Sequence, residues 1–399
     1  MTELPTFPIR RQEPGVLPAE YETLRERGIG RVTLPTGKLA WMVVRPEYAR
    51  LVLSDPRFSS DKLRPDFPKL TPSALNKLKY CAPFMINLDG PAHMEKKRSI
   101  LQEFAPRALA KMRPLMRAAT SEKIDALLER GEKPVDLVSE LSFPVAWRLQ
   151  EMVLGIPAAE LHEMRDNVRN LLLSSEDEEE AMAARLNGHA MDVLKEKANN
   201  LGDDMMSRLI MRERDEHGEV DWFRLAPMML ANAQGIHNSV ATMISLGVLT
   251  LLNHPQERVT LLADPDRLTI AVEEMLRFFS VNDGTPMRLA TEDVLIGDTL
   301  VKAGDGLALP MFPVNRDPAV CPHPNRLDLM REEPVKHLAF GHGPHRCPAN
   351  RMVPDLLEIV YTMLFERIPT LALAVPESEL TYKYHSIQAF GPAEMPITW

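Results

Sequence analysis

The sequence predicts a mainly α-helical fold in which a long central helix crosses a helix-rich lobe and the strands are confined to small β-sheets. Three observations predict it. From Pro46 onward apolar residues recur at helical spacing almost without a break. The stretch Pro227 to Asn253 carries no interior proline, and its 27 residues at roughly 1.5 Å each would span about 40 Å. Strand-like alternation is limited to two short regions.

The first of these is Val32 to Val44, where β-branched residues alternate around the turn Pro35-Thr36-Gly37 and predict a hairpin. The second is a β-rich patch from Asp283 to Pro310, followed by irregular, proline-dense chain from Pro313 to Pro334. The acidic run Glu176 to Glu180 reads as a solvated helix end or loop tip. No internal repeat or low-complexity linker marks a boundary, so residues 1–399 are expected to form a single domain. The 45% hydrophobic content supplies a large core for it.

Charge and cysteine usage exclude several classes. A net charge of -9 without any basic block argues against nucleic-acid binding. Cys81, Cys321 and Cys347 are too few and too scattered for a disulfide framework, which points to a reducing cytoplasm. Met1 to Arg11 mixes prolines with charges, so neither a signal peptide nor a membrane anchor is expected. The apolar central helix invites a transmembrane reading, but Asn232, Gln234, His237 and Asn238 near its middle would be costly in lipid.

Chemistry concentrates in Phe340-Gly341-His342-Gly343-Pro344-His345-Arg346-Cys347. Gly341 and Gly343 can take conformations closed to other residues and let the chain approach a flat ligand. The loop ends on a cysteine and leads into the helical pattern Met352 to Ile368, where free N–H groups would favour a thiolate. A lone cysteine is commonly just a small buried hydrophobe. Here no second cysteine or histidine stands at zinc-finger spacing and no C-x-x-C-H motif is present, so a zinc site and a covalently attached haem both drop out.

These residues resemble the haem loop of the cytochrome P450 family, F-G-x-G-x-H-x-C. The match is complete through Cys347 and then departs at Ala349, where the family has glycine. The resemblance covers nearly the whole chain and is to the soluble bacterial type. It implies a haem b (iron protoporphyrin IX) cofactor whose iron is bound by Cys347, with Phe340, Gly341 and His345 also at the cofactor. It also places the acidic run near a lid over the substrate pocket.

Other motifs extend the resemblance. Gly235-Ile236-His237-Asn238-Ser239-Val240 falls where the family's oxygen-binding helix reads A/G-G-x-D/E-T-T. Gly235 would leave the gap for dioxygen, and Ser239 keeps an alcohol that can donate a hydrogen bond. Asn238 replaces the acid, and an amide cannot relay a proton as a carboxylate does. Protons must then come through Ser239, ordered water or the substrate. Positions 231, 234, 235, 238 and 239 share a face at helical spacing, and Ala231, Gln234, Gly284 and Pro286 are expected to contact substrate.

Glu274-Met275-Leu276-Arg277 on its own describes a surface ion pair of small value. Standing 70 residues before Cys347, it resembles the family's E-x-x-R, which locks against a third residue in the proline-rich segment; Arg326 is the matching member. Such a network is a structural clamp for the cysteine loop. For the haem propionates, His93-Met94-Glu95-Lys96-Lys97-Arg98 resembles H-x-x-x-R, with either Lys97 or Arg98 as the cation, and Arg288 matches the propionate arginine beyond the clamp helix.

The resemblance therefore implies an oxygen-dependent oxidoreductase acting on a small molecule. Two outcomes stay open within natural-product tailoring. One is oxygen insertion or radical coupling through C–C or C–N bonds, with cyclic dipeptides or other amide-bearing aromatics suited to Gln234 and Asn238. The other is regioselective hydroxylation or epoxidation of a macrolide or terpenoid. A non-catalytic haem-thiolate sensor is the alternative from another class. No flavin or nicotinamide fingerprint is fused to the chain, so electrons are expected from a ferredoxin and its reductase. Arg346, Arg351 and Lys336 offer a basic docking patch, and a monomer is expected.

Overall fold

The computed structural model describes residues 4–70, 85–131, 133–173, 178–282, 286–384 and 389–399. Its first helices are α1 (Glu20–Glu26), α2 (Pro46–Ser54), α3 (Gly90–Leu101), α4 (Pro106–Leu128), α5 (Phe143–Leu154), α6 (Ala158–Leu173), α7 (Glu179–Lys197) and α8 (Met205–His217). Next come α9 (Trp222–Gly235), α10 (His237–Asn253), α11 (Pro255–Ala263), α12 (Pro265–Phe279), the single turn α13 (Met311–Val314) and α14 (Met352–Arg367).

Strands are short. They are β1 (Ile29–Thr33), β2 (Leu39–Val43), β3 (Phe58–Ser59), β4 (Val135–Asp136), β5 (Met287–Ala290), β6 (Val294–Ile296), β7 (Thr299–Val301) and β8 (Gly306–Ala308), then β9 (Ala372–Leu373), β10 (Tyr382–Tyr384), β11 (Phe390–Pro392) and β12 (Pro396–Thr398). The largest sheet has the order β1-β2-β8-β5-β3. The expected hairpin is β1 against β2, with Val32 opposite Ala40. The β-rich patch becomes β5 to β8, and Arg288 of β5 lies opposite Leu307 of β8.

The central helix departs from expectation in two ways. It begins earlier, at Trp222, because the Asp221 carboxylate caps it by accepting the Arg224 N–H at 3.0 Å, and Pro227 sits inside α9. It is also interrupted at Ile236 (φ −96°, ψ −57°), which divides α9 from α10. The break falls where flexible Gly235 meets a β-branched residue, a combination that holds a helix poorly. Beyond it every residue from Val240 to Leu251 is buried, so α10 is the interior rod of the main core, packed against α5 and α14. Among the described residues no helix is long and apolar enough to cross a membrane.

The acidic run lies at the start of α7. Glu178 and Glu180 are exposed, as a solvated helix end requires, and Glu176 and Asp177, like Cys81, fall outside the described residues.

Candidate active site

The cysteine loop is built on two glycines with positive φ, Gly341 at +72° and Gly343 at +66°. A Cβ on Gly343 would lie 2.4 Å from the Leu53 carbonyl oxygen at the end of α2, so the loop backbone lies directly on that helix. The Cys347 N–H returns to the Phe340 carbonyl at 2.9 Å and closes the loop. One expectation needs correction. Cys347 does not open a helix: a turn carries the chain from residue 348 to residue 351 before α14 begins at Met352. The N–H that meets the sulfur comes from Ala349 in that turn. Burial pushes the Cys347 thiol up, opposed by the Ala349 N–H and by the charges of Lys97 and Arg346. Those opposing contacts all favour a thiolate, and a metal would complete the case for one.

The clamp sits beneath this loop. Arg277 grips Glu274 with two bonds of 2.7 and 2.8 Å, and both side chains are fully buried. Its remaining donors reach the carbonyls of Asn315 and Pro324 at 2.9 Å and of Arg326 at 3.3 Å. Arg326 thus contributes only its backbone, since its guanidinium is 71% exposed beside Asp328. The third charged side chain is Arg331, whose Nε lies 3.0 Å from Glu274 Oε2. Asn315 was also not foreseen. Its Oδ1 accepts the Leu338 N–H at 2.7 Å and its Nδ2 donates to Ser280 Oγ at 2.7 Å, tying the end of α12 to the start of the cysteine loop. The proline-rich segment carries several arginines, and nothing in their spacing separates Arg326 from Arg331.

A polar group gathers beside the loop. His93 lies with its ring nitrogens 3.0 and 3.1 Å from the carbonyl oxygens of Met85 and Pro344, and its ring packs 3.8 Å from that of His345. Burial, reinforced by Arg288, His93 and Lys97, pushes His345 down to about 3. Arg288 is buried, donates to the Met287 carbonyl at 2.8 Å, and is pushed down to about 10 by desolvation. Lys97 donates to the carbonyls of Pro344 and of Arg346, the latter at 2.9 Å. Between the two residues the sequence left open, the structure brings in Lys97 and excludes Arg98, which is exposed because adjacent helical positions diverge by about 100°.

These residues fit an iron porphyrin. Half-buried Cys347 offers a thiol, while the buried Arg288, with no carboxylate among its hydrogen-bond partners in the described residues, calls for anions such as two propionates.

Asn238 and Ser239 open α10. Both are half-buried, and neither side chain makes a hydrogen bond to a described residue. Ala231, Gln234 and Gly235 occupy the last turn and a half of α9, so the expected common face is cut at Ile236. Pro286 is half-buried just before β5, and Gly284 lies outside the described residues. Thr242, one turn beyond Ser239, is buried with its hydroxyl lacking a partner among the described residues.

Comparison with known proteins agrees with this arrangement. The sequence pattern of the Cytochrome P450 family matches residues 263–365, from the clamp helix into α14. The chain is 36% identical to Cytochrome P450 105A3 of Streptomyces carbophilus over 100% of its own length and 96% of that protein. Among solved structures it is similar to cytochrome P450 MoxA from Nonomuraea recticatena, with a TM-score of 0.88 and 39% identity over 99% of this chain and 98% of that one. It is also similar to the mycinamicin VIII C21 methyl hydroxylase MycCI from Micromonospora griseorubida, bound to mycinamicin VIII, with a TM-score of 0.89 and 27% identity over 99% of this chain and 100% of that one. The chain belongs to the cytochrome P450 family. It is a haem-dependent oxidoreductase with the P450 fold.

Proposed function

We propose that this chain is an oxygen-dependent haem-thiolate monooxygenase that tailors a small-molecule natural product, residues 1–399 working as one domain. The observation that carries this reading is the glycine loop that holds Cys347, closed by the Cys347 N–H on the Phe340 carbonyl, together with a buried Arg288 that hydrogen-bonds no carboxylate of the described residues. Half-buried Asn238 and Ser239 make no side-chain hydrogen bond to the described residues.

Haem bound through a thiolate supplies dioxygen activation and the oxidation of unactivated bonds. The chain's own residues do the rest. Cys347 would hold the iron, and Arg288, His93, His345 and Lys97 would bind the propionates. Glu274, Arg277 and Arg331 fix the loop. Ser239 Oγ donates a proton on the oxygen side, and Asn238, which cannot relay one, offers its amide to the substrate. A substrate would contact positions 231, 234 and 286.

An amide-bearing aromatic substrate, such as a cyclic dipeptide, suits the Asn238 amide, with oxygen insertion or radical C–C or C–N coupling as the reaction. Regioselective hydroxylation of a macrolide is the second reading, favoured by the likeness to MycCI. The identity of the substrate turned over separates the two readings, and product mass separates the two reactions: insertion adds one oxygen atom, whereas coupling removes two hydrogens and joins two positions. The experiment is turnover with a ferredoxin and ferredoxin reductase across a substrate panel chosen by optical binding titration. Tight ligand binding with no product from any ligand would instead mark a sensor.

A further inference from the structure

The interruption at Ile236 is gripped from one side by a single helix. Trp147 of α5 stacks its ring on that of His237, the first residue of α10, at 4.2 Å between centroids and 16° between planes. Gln150, one turn further along α5, brings its Nε2 to 3.5 Å from the Asn232 carbonyl in α9. Immediately before α5, Ser142 pairs with Ser245 of α10 through a 2.8 Å hydroxyl contact. α5 therefore contacts the central helix on both sides of its break. A third ring joins the contact: His162 of α6 meets Trp147 edge-on, at 4.1 Å and 88°, and Arg165 of α6 lies 5.5 Å from the same indole.

Helical geometry turns this grip into an orientation. Successive residues are rotated by about 100°, so Ser239 points roughly 200° away from His237. Fixing His237 against the indole fixes Ser239 toward the opposite side of α10, away from Trp147. A continuous helix would set this rotation through its own backbone. Here the backbone is interrupted one residue earlier, and a ring contact outside the helix has to supply the constraint.

We propose that Trp147 is a positioning residue for Ser239 and Asn238, holding the start of α10 through His237 and, by way of His162, registering it to α6. This rests on the reading of Ser239 as the proton donor, but it concerns where that residue is held. Imidazole stacking is well suited to the task. His237 is fully buried, and burial together with Arg165 keeps His162 below its ordinary range, so that ring is neutral at physiological pH. A reacting group displaced by about 1 Å loses on the order of 100-fold in rate, so a loosened stack should show in the chemistry before it shows in folding.

The test compares Trp147→Leu with Trp147→Phe in the haem-loaded enzyme. Its main readout is the vibrational frequency of carbon monoxide on the reduced haem, which senses polar groups near the bound gas. The second is the fraction of electrons lost to peroxide. Trp147→Leu should shift or split the carbon monoxide band and raise peroxide several-fold, and Trp147→Phe should restore both. A merely structural tryptophan would lower the melting temperature and leave the band unmoved, and that result overturns the proposal. If Trp147→Leu does not retain haem, His237→Phe against His237→Ala poses the same question from the partner ring, with the same two outcomes. Ser239→Ala run alongside keeps the two ideas apart. If it leaves peroxide unchanged, Ser239 is not the donor, while the band of Trp147→Leu still reports whether the indole positions the helix.

Discussion

Arg331 Nε lies 3.0 Å from Glu274 Oε2, while Arg326 directs its guanidinium to solvent and lends the clamp only a carbonyl. The buried carboxylate is therefore shared by two guanidiniums, Arg277 from its own helix and Arg331 from the irregular segment. That segment is pinned by charge as well as by backbone, since the Asp328 N–H also donates to Glu274 Oε1 at 3.1 Å.

Glu274→Ala should strand both cations in the interior, at a cost of about 3–5 kcal/mol. Haem content per chain should fall with folded yield. Arg331→Ala should weaken haem retention far more than Arg326→Ala, measured as the rate of haem transfer to an apo-globin acceptor. The reverse order would restore Arg326 to the clamp.

Cys347→Ser removes the sulfur but keeps the loop bonds, because the Cys347 contact to Phe340 is made by its backbone N–H. The fold should survive by circular dichroism. The parent's reduced carbon monoxide complex should show the red-shifted Soret band of thiolate ligation, and the variant should lose it.

Acid should destabilise the haem-free protein through His345. Burial pushes this ring down to about 3 from its ordinary 6.5, so between those values the unfolded chain binds a proton that the folded chain refuses. Its contribution to stability is complete above about pH 6.5 and is lost as pH falls toward about 3. Urea unfolding of the haem-free chain, from about pH 7 down to about pH 4, should show this decline, and His345→Gln should flatten it. Parallel slopes for the two proteins would assign the acid sensitivity elsewhere.

Ser239→Ala should lower product formation and send reducing equivalents to peroxide, by about 100-fold if removal of the general acid costs at the lower end of its usual range. Asn238→Asp should leave coupling unchanged or improve it. A Ser239→Ala enzyme with parental rate and coupling would make the polar start of α10 a substrate-binding surface instead.

Arg346, Arg351 and Lys336 are all exposed, and Arg346 and Arg351 border a cavity of about 320 Å³ that Cys347 also lines. An acidic ferredoxin docking there should reduce the haem more slowly as salt rises, and Arg346→Glu with Arg351→Glu should slow it at low salt. Stopped-flow reduction rates indifferent to ionic strength would remove electrostatics from this encounter.

The parts of the site that depend on short, stiff spacing were legible from sequence. Positive φ at Gly341 and Gly343, the Glu274–Arg277 pair one turn apart, and the strand carrying Arg288 are local consequences of residue type. The parts decided by tertiary contact were not. Nothing in the order of residues tells which arginine of an irregular segment turns inward, or which of Lys97 and Arg98 faces the loop until the rotation of α3 is known. The break at Ile236 is a different case. A stretch without an interior proline predicts a continuous helix, whereas the Gly235–Ile236 step, which holds a helix poorly, interrupts it. The Asp221 cap was readable, and weighting it would have placed the helix start correctly.

The contact between Gly343 and the Leu53 carbonyl has a consequence for how freely the loop sequence can vary. Two glycines that look equivalent in the motif are constrained for different reasons. At Gly341 no atom of the described residues, its chain neighbours aside, lies within 4 Å of where a Cβ would stand, so the dihedral angle is what resists replacement, and asparagine, which tolerates that conformation, is the natural probe. At Gly343 any side chain meets the backbone of a neighbouring helix, and no rotamer relieves it. A randomised library over the loop should therefore recover asparagine at the first position and glycine alone at the second. The end of α2, remote in sequence from the cysteine, acts as the wall that polices it.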